Sequence, residues 1–198
     1  IKPCWQAIKP LVNGQITAED LGFKVGPLLN SDGRLASAFG SVSFLLAPDL
    51  AAAQQWTAYL QEQNQLRKDI QNAVTKQGML LAAEQALAGR YGLCIFLADG
   101  HAGVHGISAS RIKDSFGRPT VFLAPKQGEE NLFTGSIRGI AGFDVGAAIQ
   151  WLIKHNPDLL IAGGGHAGAG GVTLMKNNYP VFYEQFELAV RQRLVATD

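Results

Sequence analysis

Apolar and polar positions change their rhythm near Tyr91. Residues 1–30 are mixed, although Thr17-Ala-Glu-Asp20 reads as a helix start, with Thr17 as cap and two acids in the first turn. Residues 26–35, Gly-Pro-Leu-Leu-Asn-Ser-Asp-Gly-Arg-Leu, are dense in turn formers and read as a loop. From Ala47-Pro48-Asp49 to about Ala88 the pattern predicts one long helix. Trp56, Tyr59, Leu60, Leu66, Ile70, Ala73 and Val74 recur at steps near three and four, opposite a face of Gln, Glu, Arg and Lys. One stripe on so long a helix suggests a bridge between two bodies. Gly78 marks a weak point where it could bend. A self-associating coiled coil competes, but the heptads are few and rich in Gln.

Beyond Tyr91 the elements alternate. Leu93–Ala98, Thr120–Ala124, Leu132–Ile137, Leu159–Ala162 and Val172–Met175 read as strands. Val104–Phe116 reads as a helix ended by Gly117, with Pro119 following. Asp144–His155 reads as a helix with Asp144 as N-cap, and Tyr179–Leu194 as a closing helix. Lys126–Asn131 is the one obvious polar loop. The expected class is α/β: a mixed sheet flanked by helices and preceded by a long connecting helix.

Composition narrows the function. The chain has 198 residues, 47% hydrophobic and 17% charged, with a formal net charge of +1. That is a globular composition, and the charge balance confines any nucleic-acid contact to a local patch. Cys4 and Cys94 fit neither a disulfide framework nor a zinc pattern, and Cys94 reads as a reduced core residue. No stretch is apolar enough to span a membrane and no signal peptide is evident, so no membrane partner and a cytoplasmic location are expected. The chain opens on Ile1 rather than Met and is expected to be a fragment of a longer protein.

The candidate chemistry is phosphate binding. An apolar run leads into Gly163-Gly164-Gly165-His166-Ala-Gly168-Ala-Gly170-Gly171. Glycines let backbone N–H groups approach an anion, and a histidine adds a donor. A dinucleotide fingerprint is a poor match, because too little chain follows. Tight sheet packing would explain the glycines but not His166. A second motif, Asp99-Gly-His101-Ala-Gly-Val-His105-Gly-Ile-Ser-Ala-Ser-Arg111, follows a strand and opens a helix, again favouring an anion. His101 and His105 have a spacing that could suit a metal, but no third ligand accompanies them. A third, Thr134-Gly-Ser136-Ile-Arg138-Gly, sets an arginine fork among small residues at a strand end. Asn30-Ser-Asp-Gly33-Arg34 alone reads only as a turn with a capping Asp. No Asp-His-His or Asp-x-Asp cluster, Walker loop or Gly-x-Ser-x-Gly elbow is present, so the chain is equipped to hold a phosphate rather than cleave one.

The ordered set Gly26-Pro-Leu-Leu-Asn30-Ser-Asp-Gly33-Arg34, long Gln-rich helix, His101-x-Gly-Val-x-Gly-Ile-x-Ala-Ser110-Arg111, Gly117-Arg-Pro-Thr, Gly-Ser136-x-Arg138, Gly142-Phe-Asp and Gly-Gly165-His166-Ala-x-Ala-Gly170 resembles the RecJ family. These are single-strand-specific exonucleases of the DHH phosphoesterase superfamily. The resemblance runs from about residue 20 to the end. It implies that residues 1–47 are the tail of an upstream catalytic DHH domain, 48–90 a linker helix, and 91–198 the DHH-associated substrate-binding domain. It further implies 5′ to 3′ degradation of single-stranded DNA in repair and recombination. The metal, Mn²⁺ or Mg²⁺, would sit in the missing N-terminal domain, with no cofactor bound by the fragment and the fragment inactive alone. By resemblance, Arg111, Ser136, Arg138, Gly164, Gly165 and His166 contact phosphate. Asn30 and Arg34 face the active-site cleft, and His101 is the family's helix-start histidine. The chain departs from the pattern at Gly139, usually serine, at His105, usually apolar, and at Ala141, usually proline. Two other readings stay open: a stand-alone phosphate-binding module for nucleic acid or nucleotide, and a fragment of an oligoribonuclease or cyclic-dinucleotide phosphodiesterase.

Overall fold

A computed structural model describes residues 1–12, 14–35 and 37–194. The chain divides into two compact units, Ile1–Ile70 and Gln71–Asp198, and the division falls inside one helix.

The first unit is helical: α1 (Pro3–Ile8), α2 (Ala18–Asp20), α3 (Gly26–Leu35), α4 (Phe39–Leu45) and the first half of α5 (Leu50–Leu87). Thr17 caps α2 as expected. Its hydroxyl accepts the Asp20 N–H at 3.2 Å while its own N–H donates to the Asp20 carboxylate at 3.1 Å. The Lys24 ammonium, 2.7 Å away, and the Thr17 donors hold the Asp20 carboxyl down to about 2. Ile8, Leu28, Phe44 and Leu60 form the core of this unit.

Residues 26–35, expected as a loop, are helix α3. Asn, Ser, Asp and Gly are weak helix formers, but each costs at most about 1 kcal/mol relative to Ala. Tertiary bonds outweigh that cost. The Ser31 hydroxyl, bonded locally to the Leu28 carbonyl, also reaches the Leu60 carbonyl at 3.4 Å, and the buried Asp32 carboxylate accepts the Gly40 N–H at 2.8 Å and the Tyr59 hydroxyl at 2.9 Å. Asp32 is therefore a tertiary clamp, not the cap of a turn.

Helix α5 is continuous from Leu50 to Leu87, and Asp49 begins it by accepting the Ala52 N–H at 2.8 Å. Its buried stripe differs from the expected one. Ala53, Thr57, Leu60, Arg67, Gln71, Val74, Thr75 and Ala82 are buried, whereas Tyr59, Leu66 and Ala73 are exposed. The three-four rhythm holds, but polar residues carry several of its steps. Arg67 is held there by two bonds to Asn64. Gly78 does not interrupt the helix. A Cβ there would lie 2.8 Å from the Phe122 ring and 2.9 Å from Ile112, so the missing side chain admits the sheet domain's core.

The second unit is a five-stranded mixed sheet of order β1-β2-β3-β5-β4: β1 (Leu93–Phe96), β2 (Thr120–Lys126), β3 (Glu129–Arg138), β4 (Ala162–His166) and β5 (Ala169–Met175). Only β1 and β2 pair parallel. The segment 126–131, expected as a loop, is mostly strand, closed by a tight turn at Gly128 with φ 79°. Helix α6 (Ala102–Phe116) ends at Gly117 in the left-handed conformation, and α7 (Val145–His155) starts at Asp144, whose carboxylate accepts the Ala147 N–H. Helix α8 (Tyr179–Leu194) closes the unit. Val121, Leu123, Ile137, Val172 and Leu174 pack one sheet face against Ile149, Leu152, Phe182 and Phe186 of α7 and α8. The other face meets α6 and the second half of α5, where Phe122 stacks on His105 and Thr75 bonds Ser108 at 2.9 Å. Glu187 ties α8 to the start of β1 by accepting the Tyr91 and Gly92 N–H groups at 3.0 and 2.8 Å. Burial pushes its carboxyl up, but these donors and Arg191 outweigh that and leave it lowered.

The strand expected at Leu159–Ala162 lies later, on the glycines themselves. Gly163 and Gly170 explain the shift: a Cβ on Gly163 would lie 3.0 Å from Ile149, and one on Gly170 2.5 Å from the same side chain. Without Cβ atoms at these two positions the β4–β5 ribbon packs closely under α7.

Candidate nucleic-acid interface

Pairing partners in a sheet point to the same face, and alternate residues along a strand to opposite faces. The register therefore fixes three rows on the face that carries α6. They are Ala124, Thr134, Thr173 and Ala162; then Phe122, Ser136, Gly171 and Gly164; then Thr120, Arg138, Ala169 and His166. Ser136, Arg138, Gly164 and His166 thus share one face. Helix α6 lies over β2 and β3, and the floor beyond it stays open. A Cβ on Gly164 would meet nothing within 4 Å. Gly165 falls on the opposite face, and its carbonyl lies against Gly146 of α7. Its absent side chain serves packing.

His166 ends β4 at an exposed hairpin tip, where its Nδ1 accepts the Gly168 N–H at 3.2 Å. The remaining ring nitrogen, Nε2, then carries the proton of the neutral ring. Two further bonds anchor the tip: Gly139 N–H to the Gly168 carbonyl and Val145 N–H to the Ala167 carbonyl, each at 3.0 Å. A Cβ on Gly139 would lie 2.9 Å from the Phe143 carbonyl. Sequence reasoning missed these backbone ties, which have no side-chain signal.

Arg138 is the last residue of β3, as its motif implied. Its guanidinium reaches back over α6 at Gly106 and donates to the Ile137 carbonyl at 2.8 Å. His101 is the N-cap of α6, with Nδ1 accepting the Gly103 N–H at 3.1 Å. His105 is buried, and burial brings its imidazole down to about 4, with His101 adding to the shift. The two histidines do not pair toward a common point: one caps backbone, the other stacks on Phe122.

Arg111 does not join Arg138. It follows Gly106 by five residues, about 140° around α6, and its guanidinium donates to Asn72 of α5 at 3.4 Å. Asn30 and Arg34 are exposed, one helical turn apart on α3, and border a cavity of about 330 Å³ with Leu29, Gly33 and Ala38. Among the described residues no three His, Cys, Asp or Glu side chains converge as a metal site. These residues do not offer a ligand set for Mn²⁺ or Mg²⁺. No helix among the described residues is long and apolar enough to cross a membrane.

The DHHA1 domain family model matches residues 90–192, which hold the whole sheet and nearly all of its helices. The chain belongs to the DHHA1 domain family. It is 36% identical over 177 residues to the single-stranded-DNA-specific exonuclease RecJ of Salmonella typhimurium, an alignment that covers 87% of this chain and 30% of that protein. Crystal structures of RecJ from Thermus thermophilus, one with Mg²⁺ and one with Mn²⁺, each superpose with a TM-score of 0.81 over 96% of this chain. Identity is 25% and 26%, and the match spans 28% and 27% of those chains. The DHHA1 chain is thus homologous to the C-terminal region of RecJ exonucleases and spans 20–32% of the length of the curated relatives it matches. The mixed sheet behind a long helix is the architecture of that region.

Proposed function

We propose that this DHHA1 domain and its long helix are the substrate-gripping part of a metal-dependent exonuclease that degrades single-stranded DNA 5′ to 3′. The observation that carries the reading is the open sheet face on which Ser136, Gly164, Arg138 and His166 stand together. An arginine fork, a hydroxyl and an imidazole N–H beside a floor free of side chains suit a phosphodiester strand without reading its bases. In this reading residues 1–47 complete an upstream DHH domain, 48–90 link it, and 91–198 bind the strand. Gly165 supports the hairpin rather than the ligand. Asn30 and Arg34 face the cleft of the catalytic domain, and Arg111 contacts the strand only at its periphery. Mn²⁺ or Mg²⁺ is held by the upstream domain, the chain alone does not hydrolyse DNA, and the parent protein works in the cytoplasm.

The test is degradation of end-labelled single strands by the parent protein, with DNA, RNA and a cyclic dinucleotide as alternative substrates. Processive loss of the DNA strand from its 5′ end, with Arg138→Ala raising KM more than it lowers kcat, is the expected result. Turnover confined to short RNA or the cyclic dinucleotide would assign the parent to another branch of the superfamily. Binding without turnover in any metal would leave only a binding module.

A further inference from the structure

We propose that Gly106 is a positioning residue for Arg138: its missing side chain seats the guanidinium beside Ser136 on the open sheet face. The inference rests on the reading of Arg138 as a phosphate contact and adds what places it there.

Gly106 lies inside α6, where glycine weakens a helix relative to alanine. Its backbone does not call for glycine, because it is helical and is absent from the positive-φ positions. The space where its Cβ would stand is taken instead. That atom would collide with Nη2 of Arg138, and would lie 3.1 Å from Cζ of the same guanidinium and 3.7 Å from the Ser136 hydroxyl. No backbone atom and no branched core side chain is among these neighbours. Gly170 is the opposite case, since its Cβ would strike Ile149 and the Gly164 carbonyl. At Gly106 the obstruction is the far end of a flexible side chain, so an added methyl moves the arginine and not the helix. Arg138 leaves the last position of β3, and its own neighbour's carbonyl holds one guanidinium nitrogen. The flank of α6 at Gly106 is the second wall of its slot. Stability and binding therefore respond in opposite senses to Gly106→Ala, a signature that a packing glycine does not give.

The experiment uses the parent protein with Arg138→Ala, Gly106→Ala and the double variant. Single-stranded oligodeoxynucleotide affinity is measured across a salt series, with Tm for each variant. Arg138→Ala is expected to weaken binding about tenfold and flatten the salt slope by about one unit. Gly106→Ala should match that loss with Tm unchanged or raised, and the double variant should lose nothing further. Wild-type affinity in Gly106→Ala, losses that multiply in the double variant, or a large fall in Tm would each overturn the proposal. If Arg138→Ala alone changes neither affinity nor slope, the phosphate reading of Arg138 falls. A crystal structure of Gly106→Ala then decides the positioning: a displaced guanidinium upholds it and an unmoved one refutes it.

Discussion

Nδ1 of His166 accepts the N–H of Gly168, two residues on, at 3.2 Å. The ring thus has one side turned to its own backbone and one donor side left for a ligand. The bond orders a single amide at an exposed tip that two backbone bonds already anchor. In the parent protein His166→Ala should weaken single-strand binding by about one to two orders of magnitude, the size of one charge-assisted bond. Its Tm should fall by no more than a few degrees, as expected for roughly 1 kcal/mol. His166→Asn keeps an acceptor for the Gly168 N–H and should recover the Tm without the affinity. A large Tm loss with intact affinity in the folded fraction would give His166 a structural role only.

Asp32 clamps the first unit. Removing its carboxylate leaves the Gly40 N–H and the Tyr59 hydroxyl without their acceptor. The cost is about 2–6 kcal/mol, at about 1–3 kcal/mol for each donor left unsatisfied. Asp32→Ala should lower the unfolding free energy of the chain by that amount, read as a lower denaturant midpoint, and Asp32→Asn by less. The bond to Asp32 is also the main reason the Tyr59 phenol is raised above its ordinary range. An absorbance titration should show one tyrosine moving back down in Asp32→Asn. An unmoved midpoint in Asp32→Ala would show that the clamp carries no stability.

His105 makes the second unit sensitive to acid. Its imidazole titrates near 4 when folded, against 6.5 for the free group, because burial disfavours the cation. The unfolded chain therefore takes up the proton first. The neutral ring's full contribution is present above about pH 6.5 and is lost as pH falls toward 4. Between about pH 7.5 and about pH 5 the loss should be about 2 kcal/mol. His105→Phe keeps a ring against Phe122 and should remove most of that difference in urea midpoints. Equal acid slopes in the two proteins would mean that His105 is already protonated in the folded state.

Much of the fold was legible where the signal is local. The caps at Thr17 and Asp144, the left-handed Gly117 and the extent of α8 depend on neighbours within a few residues, and each was readable. Helix α3 was not, because the bonds that favour it reach from Ser31 to Leu60, 29 residues away, and from Asp32 to Gly40 and Tyr59, 8 and 27 residues away. Strand β4 was not readable either, since three glycines have no side-chain period. What makes them a strand is the fit beneath Ile149. The site divides in the same way. His166 and Arg138 were picked by residue type and Ser136 by the family resemblance, and the register sets them on one face. The same register turns Gly165 to the other face, and helix geometry turns Arg111 toward Asn72. Gly106 left one mark in the sequence, a glycine inside a predicted helix, and its meaning needs the position of a side chain 32 residues later.

Gly164 and Gly170 lie in paired strands six residues apart, and the two kinds of glycine predict opposite behaviour. At Gly170 a methyl would meet Ile149 at 2.5 Å and the Gly164 carbonyl at 3.0 Å. Neither can retreat without opening the contact between α7 and the sheet. Gly170→Ala should therefore destabilise the chain by about 1–3 kcal/mol, the usual cost of overpacking. At Gly164 the methyl would meet nothing within 4 Å and would stand up from the open floor beside Ser136 and Gly171. A strand loses by having glycine at an exposed position, so Gly164→Ala should leave the denaturant midpoint unchanged or slightly raised. Nothing in the fold calls for glycine there; the proposed approach of a backbone phosphate would. In the parent protein Gly164→Ala should weaken single-strand binding about tenfold, equivalent to about 1.4 kcal/mol, while Gly170→Ala should bind normally in its folded fraction. The two measurements together are decisive. If Gly164→Ala binds the strand as tightly as the unchanged protein, the ligand does not lie on the floor between Ser136 and the β4 edge.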